Sequence, residues 1–115
     1  MEKLELIESQ KLPQKGKVKE FYFLTTEVLR EYLSKRYFID LVDKTTLEIL
    51  SELKRIPCDR EMKVLIEEIL SFSDLIKFAK LKPEDGEVQS MLPSIRNVIH
   101  KTKIETIEPF LNRVK

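Results

Sequence analysis

His100 is the only histidine in this chain and Cys58 the only cysteine. A catalytic nucleophile needs a base beside it, and a zinc ion needs three or four ligands. His100 stands next to Lys101 with no ligand pattern around it, so it reads as an ordinary surface or boundary histidine. Cys58 follows Pro57 and precedes a segment opened by Asp59 and Arg60. A helix start and a guanidinium lower a thiol pKa, but the plainer reading is a small, partly buried loop residue. The acidic pairs Glu67-Glu68 and Glu84-Asp85 suggest general acid–base or metal chemistry only if their carboxylates converge. Adjacent residues on a helix point about 100° apart, so these pairs read as a solvated face and a helix start. There is no phosphate-binding glycine loop, no G-x-S-x-G elbow and no H-E-x-x-H. The sequence therefore predicts no catalytic residue, no cofactor and no metal.

With 115 residues the chain has the size of one domain and can bury one core. Two glycines and five prolines are few for an all-β fold of this length, which needs more turn residues. The charges nearly cancel, 21 Lys plus Arg against 20 Asp plus Glu. Domains that bind nucleic acid more often carry a basic excess on one face, so no nucleic-acid partner is expected. One cysteine excludes an intramolecular disulfide framework. No stretch approaches the roughly 20 apolar residues that span a bilayer, and Met1–Leu6 alternates charge with leucine unlike a signal peptide. As given, the chain reads as soluble; a domain excised from a membrane protein would look the same.

The elements follow from spacing. Glu2–Leu12 forms a short candidate helix, interrupted by Pro13 and Gly16 in a basic linker. Val18, Phe21, Tyr22, Thr25, Val28, Leu29, Tyr32 and Leu33 recur at one helical face, predicting a helix over Lys17–Tyr37. After the connector Phe38–Asp43, Thr45-Thr46-Leu47-Glu48 has the form of a capping box. A short helix should follow with Leu47, Leu50 and Leu53 inward, stopping before Pro57. Asp59 is the expected N-cap of a helix to about Lys80, with Met62, Leu65, Ile69, Phe72, Ile76 and Ala79 along its seam. Val64, Ile66, Leu70, Leu75 and Phe78 widen that seam, which suggests a central helix contacted from several sides; Ser73 and Asp74 are its polar exceptions. Beyond a turn at Lys82–Gly86, Val88, Met91, Leu92, Ile95, Val98, Ile99 and Thr102 share one face of a last helix, with Pro93 off the stripe and expected to kink it. Ile104–Lys115 keeps weak helical spacing but contains Pro109, so a loosely held tail is expected. The reading is a single all-α domain over 1–115, a compact bundle of four main helices plus short terminal ones, with its core over 3–103.

Two surface features invite binding. Lys11, Lys15, Lys17 and Lys19 form the one local basic cluster. It is either a solvated linker or a strip that rests on anionic head groups, worth about 1 kcal/mol per lysine near the surface. Phe23 and Tyr37 fall off the inward face of the first long helix and are candidates for an exposed partner-contact patch.

Two blocks carry a family resemblance. The first is Lys19-Glu20-Phe21-Tyr22 through Leu29-Arg30-Glu31-Tyr32-Leu33, then Arg36-Tyr37-Phe38-Ile39 and Thr45-Thr46-Leu47-Glu48. The second is Ser73-Asp74-Leu75-Ile76-Lys77-Phe78-Ala79-Lys80, then Pro83 and an amphipathic helix. Together, over about residues 3–103, they resemble the cytoplasmic helical domain of bacterial BatD-like (aerotolerance-operon) membrane proteins and related domain-of-unknown-function families. The resemblance implies a docking domain at the cytoplasmic face of the inner membrane, anchored by a transmembrane segment outside this chain. It implies as partners a MoxR-type AAA+ ATPase or von Willebrand factor A proteins, in assembly or envelope-stress tolerance, and no catalytic residues. The chain departs from the pattern in its Ile104–Lys115 segment, and in Tyr37-Phe38 where the resemblance leads to Phe-Gly.

The competing reading is a small helical nucleic-acid-binding or regulatory protein. In it, Thr45–Arg55 and the helix after Asp59 form a helix-turn-helix pair, although the second helix looks too apolar to lie in a groove. An enzyme has no residue constellation behind it.

Overall fold

A computed structural model of the chain describes residues 2–114, with side chains over 3–103. Five helices follow one another: α1 (Glu2–Ser9), α2 (Val18–Tyr37), α3 (Thr46–Leu53), α4 (Arg60–Phe78) and α5 (Asp85–Val114). A single 3-10 turn, Pro13–Lys15, precedes α2. The described residues include no strand.

The long helices α2, α4 and α5 pack mutually, α1 covers α2, and α3 covers α4. Their apolar stripes meet in one core. Phe21, Tyr22, Leu29 and Leu33 come from α2, Met62, Ile66 and Leu70 from α4, and Ile95 and Val98 from α5. Each fully buried side chain of this kind contributes about 1.5–3 kcal/mol. Leu4 and Ile7 extend the core under α1, and Ile49 and Leu53 extend it under α3.

The polar residues inside the bundle bond to their own helices. Thr25 Oγ1 donates to Phe21 O at 2.9 Å, Thr26 Oγ1 to Tyr22 O at 2.8 Å and Ser73 Oγ to Ile69 O at 2.6 Å. Hydroxyls satisfied this way cost little to bury. A polar seam also ties α2 to α5. The Tyr32 hydroxyl lies 2.6 Å from Thr102 Oγ1, and Arg36 Nε donates to Thr102 O at 3.2 Å.

The helix ends follow their side chains. Thr45 Oγ1 accepts from Glu48 N–H while the Glu48 carboxylate accepts from Thr45 N–H, so the capping box forms as expected. Backbone and side-chain hydrogen bonds from Thr45 hold the Glu48 carboxyl below its ordinary pKa. Asp59 Oδ1 accepts from Glu61 N–H at the start of α4. At the end of α2, Phe38 adopts φ 58° and ψ 40°, the left-handed conformation. The N–H groups of Phe38 and Ile39 both donate to Ser34 O, and Leu41 N–H donates to Ser34 Oγ at 2.9 Å. The glycine that the resemblance leads to at this position would suit that backbone better than phenylalanine.

Several expectations are corrected. α1 ends at Ser9, because the chain turns through a left-handed Lys11 (φ 50°), and Leu12 enters the core from the loop. In α3 the buried residues are Thr46, Ile49 and Leu53, while Leu47 is 80% exposed. With Thr45 fixed as the cap, positions i, i+3 and i+7 counted from Thr46 face α4, and Leu47 is rotated away. α4 is contacted by α2, α3 and α5, as expected of a central helix, but Val64, Leu75 and Phe78 on it, and Ala79 just past its end, are exposed. α5 begins at Asp85, placing Gly86 inside the helix, and continues through the exposed Pro93. Whether the tail after residue 103 packs on the bundle lies outside the described side chains.

Candidate functional site

Lys77 is a lysine in the core. It is 4% exposed, on the stripe of α4 that faces α2. Its Nζ donates to Thr26 Oγ1 at 3.3 Å, and its nearest carboxylate oxygen, Asp74 Oδ1, lies 3.9 Å away. Desolvation pushes its pKa down, the Arg30 charge adds to this, and Asp74 opposes it. Arg30, one turn beyond Thr26 on α2, has a buried Nε without a hydrogen-bond partner. Among the described residues the partly exposed Asp74 carboxylate is thus the one acid beside the Lys77 ammonium, and the Arg30 charge adds to the positive side.

Two exposed aromatics flank this charge. Nζ of Lys77 lies 4.9 Å from the ring centroid of Phe23 on α2 and 5.7 Å from that of Phe78 on α4. Phe23 is 48% exposed and Phe78 is 72% exposed. Cation–π attraction favours both rings beside the ammonium, so helices α2 and α4 present a pair of exposed phenylalanines over a positive base. The other aromatic candidate, Tyr37, is half-buried against the core with the Arg36 guanidinium 4.5 Å above its ring.

A second feature lies around α2 from this face. A groove of about 440 Å³ opens between α4 and α5, and Tyr22 reaches it from α2. Leu65, Ile69, Phe72, Leu75 and Met91 form its apolar wall; Glu68, Glu87, Ser90 and Ser94 are among its polar residues. Tyr22 is completely buried, packs edge-on against Phe72 (centroids 6.1 Å apart), and its hydroxyl has no hydrogen-bond partner. Burial and the nearby Glu87 charge push its pKa up to about 12. Glu87 is itself anchored: its Oε1 accepts from Glu84 N–H at 2.8 Å, tying it to the start of α5.

The remaining sequence candidates do not assemble into a site. Lys11, Lys15, Lys17 and Lys19 are all exposed, around the 3-10 turn and the first residues of α2. His100 is exposed on α5, Cys58 is half-buried in the α3–α4 loop, and Glu67 and Glu68 are both exposed. Among the described residues no three His, Cys, Asp or Glu side chains gather to hold a metal, and no helix is long and apolar enough to cross a membrane. The spacing missed Lys77 and the groove. Lys77 lies four residues beyond Ser73 and seven beyond Leu70, on the inward stripe, and that position was the available signal.

Compared with protein families, with curated proteins and with solved structures, the chain matches none at a significant level.

Proposed function

We propose that this chain is a non-catalytic docking domain that binds a protein partner through the Phe23–Phe78 face. The observation that carries the reading is the exposure of both rings beside the buried ammonium of Lys77, whose one nearby carboxylate lies 3.9 Å away. Large exposed aromatics are frequent anchors of interfaces. The excess positive charge beneath them selects a partner segment that brings apolar side chains with a carboxylate among them. The resemblance in the two sequence blocks supports the narrower reading: the cytoplasmic side of a bacterial inner-membrane protein of BatD-like type. A MoxR-type AAA+ ATPase is then the partner, and von Willebrand factor A proteins belong to the same assembly.

The nucleic-acid reading is less favoured. The helix that would enter a groove, α4, is covered by α2, α3 and α5. Titrating the domain against a purified MoxR-type AAA+ ATPase from the same organism tests the proposal. Binding is expected, weakened about tenfold by Phe78→Ser, as for an interface anchor. Absence of binding overturns the partner, and binding indifferent to Phe78→Ser overturns the face.

A further inference from the structure

The Tyr22 groove is separate in chemistry from the docking face: acidic where the face is basic, concave where the face projects. Its volume, about 440 Å³, falls within the range of small-molecule sites, roughly 300–1,000 Å³. Its composition also follows their pattern, an apolar wall with a few polar groups. Two observations say which ligand fits. First, the charged side chains that line it are Glu68 and Glu87, with no lysine or arginine among them. Second, the completely buried hydroxyl of Tyr22 at its α2 side has no partner, although buried hydroxyls almost always find one.

We propose that this groove binds a small apolar primary amine in its ammonium form. The alkyl or aryl body lies along Leu65, Phe72 and Met91, and the ammonium sits between the carboxylate of Glu87 and the hydroxyl oxygen of Tyr22. Glu87 is positioned for this. Its Oε1 is held by Glu84 N–H, and its Oε2 makes no hydrogen bond among the described residues. An ammonium carries three donors and no acceptor, which matches a carboxylate, a phenol oxygen and the serine hydroxyls of the α5 wall. A carboxylate or phosphate ligand would face two like charges. The Tyr22 hydroxyl is closed to bulk water in the groove as it stands, so seating a donor there requires the walls to part.

The test uses the 15N-labelled chain and three probes of equal length: n-hexylammonium, 1-hexanol and hexanoate. Hexylammonium is expected to shift the amide resonances of Phe72, Ser90 and Met91 in a saturable way, with 1-hexanol weaker and hexanoate without effect. Glu87→Gln, which keeps the acceptor for Glu84 N–H, should weaken hexylammonium binding about tenfold, and Tyr22→Phe about fivefold, the usual worth of a charge-assisted and a neutral hydrogen bond. Tyr22→Phe should at the same time raise Tm, which separates a lost ligand contact from a damaged fold. Equal binding of hexanoate, binding indifferent to Glu87→Gln or Tyr22→Phe, or a lowered Tm in Tyr22→Phe would overturn the proposal. Phe78→Ser should leave hexylammonium binding unchanged, so failure of the groove and failure of the docking face are read independently.

Discussion

The ammonium of Lys77 and the hydroxyl of Thr26 meet 3.3 Å apart between α4 and α2, and Thr26 is already bonded to its own helix at Tyr22 O. One weak hydrogen bond and a carboxylate at 3.9 Å replace little of the hydration that an ammonium loses on burial. Lys77→Met keeps most of the length of the side chain and removes that cost. It should be neutral to about 2 kcal/mol stabilising at pH 7, measured by urea unfolding. The sign with pH follows from a folded pKa below the unfolded value. The cost is present while the folded state must hold the charge, and it is relieved as pH rises to the unfolded value near 10.5. The advantage of Lys77→Met should therefore shrink between neutral pH and about pH 10.5; a constant advantage would contradict the assignment.

Tyr22 behaves in the opposite sense. Its folded pKa is raised from 10.0 to about 12, so the fold resists ionising it, and stability is unaffected below pH 10 and falls as pH rises through 12. That rise corresponds to roughly 3 kcal/mol of stability lost over this window. Tyr22→Phe should abolish this alkaline limb. Near neutral pH it should add about 1–3 kcal/mol by removing an unpartnered buried hydroxyl. Stability against pH from 7 to 12, for wild type and variant, checks both.

Phe38 occupies a left-handed position, with a side chain 94% exposed. Phe38→Gly removes backbone strain and gives up almost no packing. A stabilisation of about 1 kcal/mol is expected, seen as a rise in Tm of several degrees for a domain of this size. A loss of stability would mean that the ring packs on the connector.

Exposed and buried residues of α4 should separate sharply. Ile66 is fully buried and Phe78 is 72% exposed. Ile66→Ala should cost about 2–5 kcal/mol, whereas Phe78→Ser should change stability by no more than about 0.5 kcal/mol. If Phe78→Ser is as damaging as Ile66→Ala, Phe78 belongs to the core and the docking face is lost.

Much of the fold can be read from residue spacing. The inward face of α2, the capping box at Thr45 and Glu48, the Asp59 cap and the α5 stripe are local patterns, and local physics decides them. Three leucines at spacing three suggest that Leu47 faces inward, but the Thr45 cap sets which residue is first in the helix and leaves Leu47 exposed. Lys77 was missed because a lysine interrupting an apolar helix is expected to reach solvent, and its burial depends on where α2 crosses. The groove needs three helices at fixed separations, and no single segment encodes that. In the sequence Phe38 stands out only as a phenylalanine where the resemblance leads to glycine; its left-handed backbone explains why glycine is expected there.

Site-specific photocross-linking tests the docking face most directly. A benzophenone side chain is placed at position 78, at position 23, or at the exposed Glu61 near the far end of α4, and each protein is irradiated in its own cells. The account predicts the same discrete adduct, containing the MoxR-type ATPase, from positions 78 and 23, and none from 61. No adduct at 78 and 23, or equal labelling from all three positions, would contradict it.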